Sequence, residues 1–408
     1  MTLRFTLSIG AMVLVGGVIF FYFCMEHEFP STSGAATARE IRPAASTRLN
    51  ADALPPSVAA RVSAWEKMIA ANFAGDDACV QCHPSESQAH QRSGHSHTAI
   101  KMADSALAKQ LIELGTYADP LRSQTFQFEM NEGQFTVQDV SPGAQSIKVP
   151  VTWLLGSGTH AQTPVTVDLQ TQRGIELRWS FLAGQNGLGV TPDQTRYQQF
   201  RNRSVECFGR PMDSADIRSC IGCHATVSAP PELPFLDALV VENVGCERCH
   251  GPRKKHVDLA HRGQAELAKP LISLDDPDVY MNICSGCHRD ESSVAADALP
   301  HELARFQPYG LKRSACYLKS GQSMTCSTCH DPHDTVSHDR AFYVSKCQSC
   351  HSETTQRSCP QPLRGDCIEC HMPKTQWTAG IAFHDHWIRL PDDDSRSPKK
   401  TASDAVDR

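Results

Sequence analysis

The feature that most constrains this chain is a short pattern, C-x-x-C-H, which occurs seven times in its 408 residues. From 18 cysteines and 19 histidines, chance would give about 0.04 such matches in a chain of this length. The seven copies use 14 of the 18 cysteines. In chain order, sites 1 to 7 are Cys79-Cys82-His83, Cys220-Cys223-His224, Cys246-Cys249-His250, Cys284-Cys287-His288, Cys326-Cys329-His330, Cys347-Cys350-His351 and Cys367-Cys370-His371.

This pattern is typical of c-type haem attachment. Its two cysteine sulfurs form thioethers with the two vinyl groups of one porphyrin, and the histidine that follows reaches the iron from the same side. Two intervening residues allow one helical turn to present both sulfurs to one edge of the ring. The sequence therefore predicts seven covalently attached haems, with the motif cysteines as thioether donors and the motif histidines as proximal ligands of iron.

Zinc and disulfides are the competing interpretations of the cysteines. Structural zinc sites combine two C-x-x-C units, or one unit with a distant histidine pair, and need no histidine directly after the second cysteine. A thioredoxin-like dithiol requires one motif in a β-α-β context rather than seven. Haem also compensates for an aromatic content of only 7%, because each porphyrin supplies a large apolar surface. A net charge of −6 excludes the basic footprint expected of a nucleic-acid-binding protein.

The N-terminal residues indicate a membrane anchor. Arg4 precedes an uncharged, largely apolar run over residues 5–25, which is long enough to cross a bilayer of about 30 Å. We interpret residues 1–25 as an uncleaved signal anchor with a cytoplasmic N-terminus, and a cleaved signal peptide is the alternative. Phe23 disfavours a lipoprotein signal at Cys24. The rest of the chain is expected on the periplasmic side of the inner membrane, where c-type haem is attached and disulfides persist.

Composition and periodicity divide the remainder of the chain into segments. The predicted fold class is a multihaem cytochrome c: mostly irregular loops and short helices around stacked haems, with a small antiparallel β insert and an N-terminal transmembrane helix. The expected segments after the anchor are a flexible linker (26–56), N-terminal helices with site 1 (57–120), a β-rich insert (121–205), a hexahaem region (206–390) and a disordered tail (391–408).

Two helices and a hairpin can be placed more closely. Ser57 is expected to N-cap a helix that reaches residue 73, and a second amphipathic helix is expected over residues 102–114. Within the insert, the alternating runs 123–129 and 133–140 flank Asn131-Glu132-Gly133, which predicts a β-hairpin. The strand pattern continues in later runs up to about residue 182.

Seven irons would need distal partners, and twelve histidines lie outside the motifs. His256 and His333 closely follow the motif histidines of sites 3 and 5 and cannot reach the far face of the same haem, so each would serve a neighbouring haem or none. His95 with His97, and His384 with His386, form close pairs in which one member of each is expected to be a surface residue. Histidine on both faces is possible by count, and methionine is the alternative ligand.

Three cysteines after the anchor lie outside the motifs. A disulfide between Cys316 and Cys359 is expected, which would leave Cys207 free. None of the three stands in a catalytic pattern.

From about residue 78 to residue 388, the chain resembles the periplasmic multihaem cytochromes c of the cytochrome c-554/nitrite-reductase-like superfamily, within it the branch often fused to tetratricopeptide repeats. The matching segments are Cys79-Val80-Gln81-Cys82-His83 with Ser93-Gly94-His95, Gly245-Cys246-Glu247-Arg248-Cys249-His250-Gly251-Pro252 with His256, Met324-Thr325-Cys326-Ser327-Thr328-Cys329-His330-Asp331-Pro332-His333, and Cys367-Ile368-Glu369-Cys370-His371-Met372-Pro373-Lys374 with Asp385-His386-Trp387-Ile388. The resemblance implies distal ligation by His95, His256, His333 and His386. The chain departs from the family at His90, where tryptophan is frequent, and residues after site 7 do not match the repeats.

Two functions are compatible with these features. The first is an electron relay that takes electrons from a membrane quinol oxidase or a soluble cytochrome and passes them to a terminal reductase. The second is an oxidoreductase that acts on a small nitrogen or sulfur oxyanion, or on hydroxylamine, at one five-coordinate haem; an accessory subunit is a third possibility. The relay is favoured because candidate distal histidines are plentiful and no C-x-x-C-K variant or other distinctive catalytic motif occurs.

Overall fold

The structure, a computed structural model, describes residues 54–195, 206–295, 297–351, 366–378 and 380–390. The predicted anchor, most of the predicted linker, the predicted tail and Cys359 lie outside the described residues. None of the helices in the described ranges is both long and apolar enough to cross a membrane.

The helices are short, and many of them end at a C-x-x-C-H motif or coincide with one. They are α1 (Pro56–Asn72), α2 (Asp77–Val80), α3 (Pro84–Arg92), α4 (Ala106–Leu114), α5 (Ser214–His224), α6 (Cys246–His250), α7 (Lys254–Ala260), α8 (Pro277–His288), α9 (Pro300–Leu303), α10 (Gln307–Arg313), α11 (Ala315–Lys319), α12 (Arg340–Gln348) and α13 (Cys367–His371).

The strands concentrate between sites 1 and 2. They are β1 (Ala99–Lys101), β2 (Thr116–Ala118), β3 (Thr125–Asn131), β4 (Gln134–Asp139), β5 (Lys148–Pro150), β6 (Trp153–Leu155), β7 (Ala161–Asp168), β8 (Arg173–Leu177), β9 (Trp179–Leu182), β10 (Gly187–Val190), β11 (Gly209–Met212), β12 (Ala225–Val227), β13 (Val241–Glu242), β14 (Lys374–Thr378) and β15 (Ile381–His384).

These strands form antiparallel sheets, as the sequence predicts. One sheet has the order β2-β3-β4-β5, and a seven-stranded sheet follows the path β1-β6-β7-β8-β11, with β9 pairing both β7 and β10. β3 and β4 form the expected hairpin, in which Glu132 and Gly133 take positive φ values of 49° and 76°. The larger sheet also takes in β1 and β11, which lie outside the expected insert of residues 121–205.

Both predicted helices begin elsewhere than expected. The N-cap position of α1 is Pro55 and no side chain caps this end, so the prediction that Ser57 is the N-cap is wrong. Proline at the first helical position lacks the N–H that a cap would satisfy. The single helix over residues 102–114 is also wrong at its first turn, because Ser105 accepts a hydrogen bond from the Ala108 N–H at 3.0 Å and starts α4 there.

The main core holds site 2 in place. Trp153 and Val165 on the larger sheet pack in one cluster with Ile217 and Ile221, which are each 1% exposed and lie on α5. Burying these side chains removes apolar surface from water and stabilises the contact between helix and sheet. Because α5 ends at His224, the sheet fixes the position of that histidine.

The cysteine-rich half has a much smaller protein core. Met281 of α8, Leu311 of α10 and Tyr317 of α11 form one buried cluster, against which Cys326 of site 5 also packs. Beyond β11, the described residues up to 390 otherwise consist of short helices and loops, with two small two-stranded sheets.

Candidate haem-attachment sites

Local hydrogen bonding turns the motifs into single helical turns. The N–H of His83 donates to the carbonyl of Cys79 at 2.9 Å, and His330 and His351 bond to the first cysteine of their own motifs at the same distance. Sites 2 and 4 lie at the C-terminal ends of α5 and α8, while sites 3 and 7 are themselves the helices α6 and α13. This is the local geometry that two thioethers to one porphyrin edge require.

Four motif histidines face a histidine from outside the motifs. The ring centres are 6.5 Å apart in His83–His256, 6.2 Å in His95–His288, 6.0 Å in His250–His333 and 6.2 Å in His330–His386. Two imidazoles that bind one metal from opposite sides, each through a bond of about 2 Å, have ring centres about 6 Å apart. The four pairs therefore fit an iron between the rings.

The partner in each pair comes from a distant part of the chain. His256 follows site 3 and faces site 1, whereas His333 follows site 5 and faces site 3. His95 follows site 1 and faces site 4, and His386 follows site 7 and faces site 5. Each of these pairs therefore connects two attachment sites, because the facing histidine comes from the segment that follows a different site.

Two motif histidines and one facing histidine are oriented by hydrogen bonds from Nδ1. His224 donates from Nδ1 to the carbonyl of Thr98 at 3.0 Å, and His371 donates to the carbonyl of Arg389 at 2.7 Å. His386 donates in the same way to the carbonyl of His384 at 2.9 Å. Such a bond fixes the ring and leaves Nε2 to a metal, which is the usual second shell of a metal-binding histidine.

Burial favours the neutral form of four candidate iron ligands. Desolvation lowers the pKa of His386 to about 4. It also lowers the pKa of His95, His224 and His330. A neutral imidazole is the form that coordinates a metal, so the environment favours the ligating state without paying for deprotonation at neutral pH.

Two other histidines near site 1 use Nε2 for the protein itself. His97 is exposed and donates from Nε2 to the carbonyl of Gln91 at 2.9 Å. His90, which stands where the family often has tryptophan, lies with Nε2 2.9 Å from the carbonyl of Val244. In this arrangement neither Nε2 is available to iron.

Site 2 differs from the four paired sites. Within the described parts of the chain, the ring of His224 faces no second imidazole, and the same holds for His371 of site 7. His384, a predicted distal candidate, donates from Nδ1 to the carbonyl of Met372 at 2.8 Å, and among the described residues its ring faces no motif histidine.

Cysteines of different sites meet side chain to side chain, which the sequence did not reveal. Cys79 contacts Cys246, Cys223 contacts Cys287, Cys284 contacts Cys326, and Cys347 contacts Cys367. These contacts join site 1 to site 3, site 2 to site 4, site 4 to site 5, and site 6 to site 7. The described residues contain no group of three or more metal-binding side chains gathered as a zinc site would need.

The repeated attachment motif and the facing imidazoles define a multihaem cytochrome c. A family-model match over part of the chain points to the same class. Residues 192–251 match the family model described as cytochrome c554 and c-prime. A curated relative, the dissimilatory sulfite reductase MccA of Wolinella succinogenes, is 24% identical over 180 residues, which cover 38% of this chain and 22% of that protein. The chain thus matches about a fifth of that relative's length.

One solved structure is also similar. The crystal structure of the outer cell wall cytochrome OcwA matches 78% of this chain and 79% of its own, with 14% identity and a TM-score of 0.46.

Proposed function

We propose that this protein is a heptahaem cytochrome c that relays electrons between a respiratory donor and a terminal acceptor. The observation that carries the proposal is the set of four imidazole pairs with ring centres 6.0 to 6.5 Å apart. Bound haem supplies reversible one-electron chemistry at iron, and an iron with histidine on both faces has no position open for substrate. Sites held in this way exchange electrons without binding anything else.

The distal ligands are His256 for site 1, His333 for site 3, His95 for site 4 and His386 for site 5. Each distal ligand comes from a segment next to a different site. The polypeptide therefore fixes the distance and orientation between neighbouring sites. His95 is itself held by a hydrogen bond to the backbone of Pro332, which precedes His333. Little has to move when an electron arrives.

The cysteine contacts suggest the order in which electrons pass. Sites 1 and 3 share the Cys79–Cys246 contact, and sites 4 and 5 share the Cys284–Cys326 contact. Site 3 is linked to site 4 because Arg248 lies 3.9 Å from the sulfur of Cys287. A path 1–3–4–5 results, with site 2 attached to site 4, and sites 6 and 7 joined to each other.

We place the haem-bearing region in the periplasm, anchored in the inner membrane through residues 1–25. The support is the apolar run over residues 5–25 and the requirement of c-type haem for attachment outside the cytoplasm. The partners are a quinol oxidase or soluble cytochrome as donor and a terminal reductase as acceptor. Small, polar and transient interfaces suit such exchange.

The relay is tested by the spin state of the ferric protein. Mass spectrometry of the purified protein should give the added mass of seven haems, and electron paramagnetic resonance should give low-spin signals for sites 1, 3, 4 and 5.

His256→Ala should convert one iron to high spin. His97→Ala, a neighbouring exposed histidine, is the matched control and should leave the spectrum unchanged. A low-spin spectrum unaltered by His256→Ala would remove that residue as a ligand.

A second candidate function rests on site 2. His224 is held through Nδ1 by Thr98, and its ring faces no other imidazole in the described residues, which suits an iron with an open position. The similar MccA is named a sulfite reductase. If this site reduces a sulfur or nitrogen oxyanion, ferric wild type should contain a high-spin signal that shifts on addition of sulfite or nitrite. Wholly low-spin spectra and no turnover would exclude this second function, and the electron relay would remain as the proposed function.

A further inference from the structure

The two residues between the cysteines of site 3 have opposite charges and reach opposite neighbours. Glu247 is only 4% exposed, and its carboxylate accepts hydrogen bonds from the backbone N–H groups of Ala74, Gly75 and Arg253 at 2.7 to 3.1 Å. Ala74 and Gly75 lie just before site 1. Glu247 therefore places a buried negative charge between site 3 and the entry to site 1.

A second carboxylate reinforces that charge. Asp76 accepts a hydrogen bond from the N–H of Cys246 at 2.9 Å, and a Cβ at Gly245 would lie 2.5 Å from its oxygens. Asp76 thus stands against the first residue of site 3 while belonging to the segment that begins site 1. Asp76 and Glu247 both place negative charge near Cys79, and Arg253 opposes them. The contact between sites 1 and 3 is accordingly negative.

Arg248 faces the other way. Its Nη2 donates to the carbonyl of Gly222 in site 2 at 2.8 Å and lies 3.9 Å from the sulfur of Cys287 in site 4. Cys287 in turn contacts Cys223 of site 2, so the guanidinium stands where sites 2, 3 and 4 meet. Arg248 and Arg289 both place positive charge near Cys223.

Carboxylates near site 2 do not cancel this charge. Glu176 and Asp216 act on Cys220, the first cysteine of site 2, whereas Cys223 is the cysteine that contacts site 4. Both are paired with Arg210, at 2.9 Å and 3.2 Å. Their effect is therefore offset by a cation of their own, and the contact between sites 2 and 4 keeps a positive excess.

We propose that Glu247 and Arg248 set the direction of electron flow: the carboxylate lowers the reduction potential at site 1, the guanidinium raises it at sites 2 and 4, and site 3 lies between them under both charges. Reduction adds a negative charge, so a nearby carboxylate disfavours it and a nearby guanidinium favours it, most strongly where burial weakens solvent screening. Electrons then enter at site 1, pass through site 3 and collect at sites 2 and 4. The inference rests on the proposed relay and adds the direction in which electrons move through it.

The test compares potentials of charge-neutral variants of the haem-loaded, full-length protein. In spectroelectrochemical titrations, Glu247→Gln should shift the lowest-potential component upward, whereas Arg248→Gln should shift a higher-potential component downward. Arg248→Lys keeps the charge and should restore a curve close to wild type. Because Glu247 also holds backbone N–H groups, Asp76→Asn is the second probe on that side and should shift the same component upward by a smaller amount.

The variants separate charge from packing. Haem content by mass and the low-spin spectrum should remain those of wild type in Asp76→Asn and Arg248→Gln. Unchanged titration curves in both variants, or shifts of the same sign in both, would overturn the inferred polarity. A wild-type protein that lacks the seven haems, or that does not exchange electrons, would instead remove the relay on which the polarity rests.

Discussion

At the scale of single residues, burial decides the chemistry of Cys207, one of the cysteines outside the motifs. Cys207 is 8% exposed, and desolvation raises the pKa of its thiol to about 12. The thiolate is the nucleophile, and at pH 8 a thiol with such a pKa is ionised in only about one molecule in ten thousand.

We therefore expect Cys207 to resist iodoacetamide in the native protein at pH 8 and to react after unfolding in guanidinium. Peptide mapping by mass spectrometry measures both, and the unfolded sample is the positive control for labelling of the Cys207 peptide. The motif cysteines should stay unlabelled in both states, because their sulfurs are held in thioethers. Rapid labelling of Cys207 in the native protein would contradict the buried position.

Which residues of the sites could be predicted depends on how local their signal is. The attachment motifs are visible because all their residues lie within five positions, and their helical turn follows from that spacing. The facing of His83 and His256 is fixed by tertiary packing, which the sequence suggested through family resemblance but not through geometry. The roles of Glu247 and Arg248 were missed, although two adjacent opposite charges inside one motif were a signal that could have been followed.

At the scale of elements, one buried ion pair joins the two large sheets. Asp119 follows β2 in the four-stranded sheet, and Arg178 lies between β8 and β9 of the larger one. Their side chains form an ion pair in which both are fully buried. The Nη1 of Arg178 also donates to the carbonyl of Gln194 at 2.5 Å. Removing one partner of a buried pair leaves a charge without its counterpart, which costs about 3–5 kcal/mol.

Asp119→Asn should accordingly lower the free energy of unfolding by about that amount, as measured by guanidinium denaturation followed through tryptophan fluorescence. The double variant Asp119→Leu/Arg178→Met removes both charges and should recover part of the loss. Lys148→Gln is the matched control, because its ion pair with Glu129 lies at the surface and should contribute nothing measurable. Equal destabilisation by Asp119→Asn and Lys148→Gln would disprove the structural role of the pair.

Elements were predictable where the pattern is local and uniform. The alternation around Asn131 places β3 and β4 within about two residues, since a hairpin needs only its own turn. The recruitment of β1 and β11 was not predictable, because each is only three or four residues long and pairs with a strand that is distant in sequence. Short strands of this kind are decided by the sheet that receives them rather than by their own composition.

At the scale of the whole molecule, two parts of the chain are stabilised by different means. The strand-rich part has a protein core with large, fully buried side chains, among them Trp153, Trp179, Phe126 and Phe135. The described part that follows site 2 has fewer such residues and carries five of the seven attachment motifs. Apolar burial can hold the first part without haem, whereas the second part depends on the porphyrins and their iron ligands for much of its packing.

Protein produced without haem attachment should therefore unfold unevenly. Limited proteolysis followed by mass spectrometry should give early cuts within residues 246–390, while peptides from residues 116–190 persist. The haem-loaded protein should resist cleavage across both regions at the same protease concentration, because each covalent haem packs against its motif segment and iron ligation joins segments far apart in sequence. Equal resistance of residues 246–390 with and without haem would mean that protein packing alone holds them, and equal early cleavage of residues 116–190 would mean that the sheets also depend on haem.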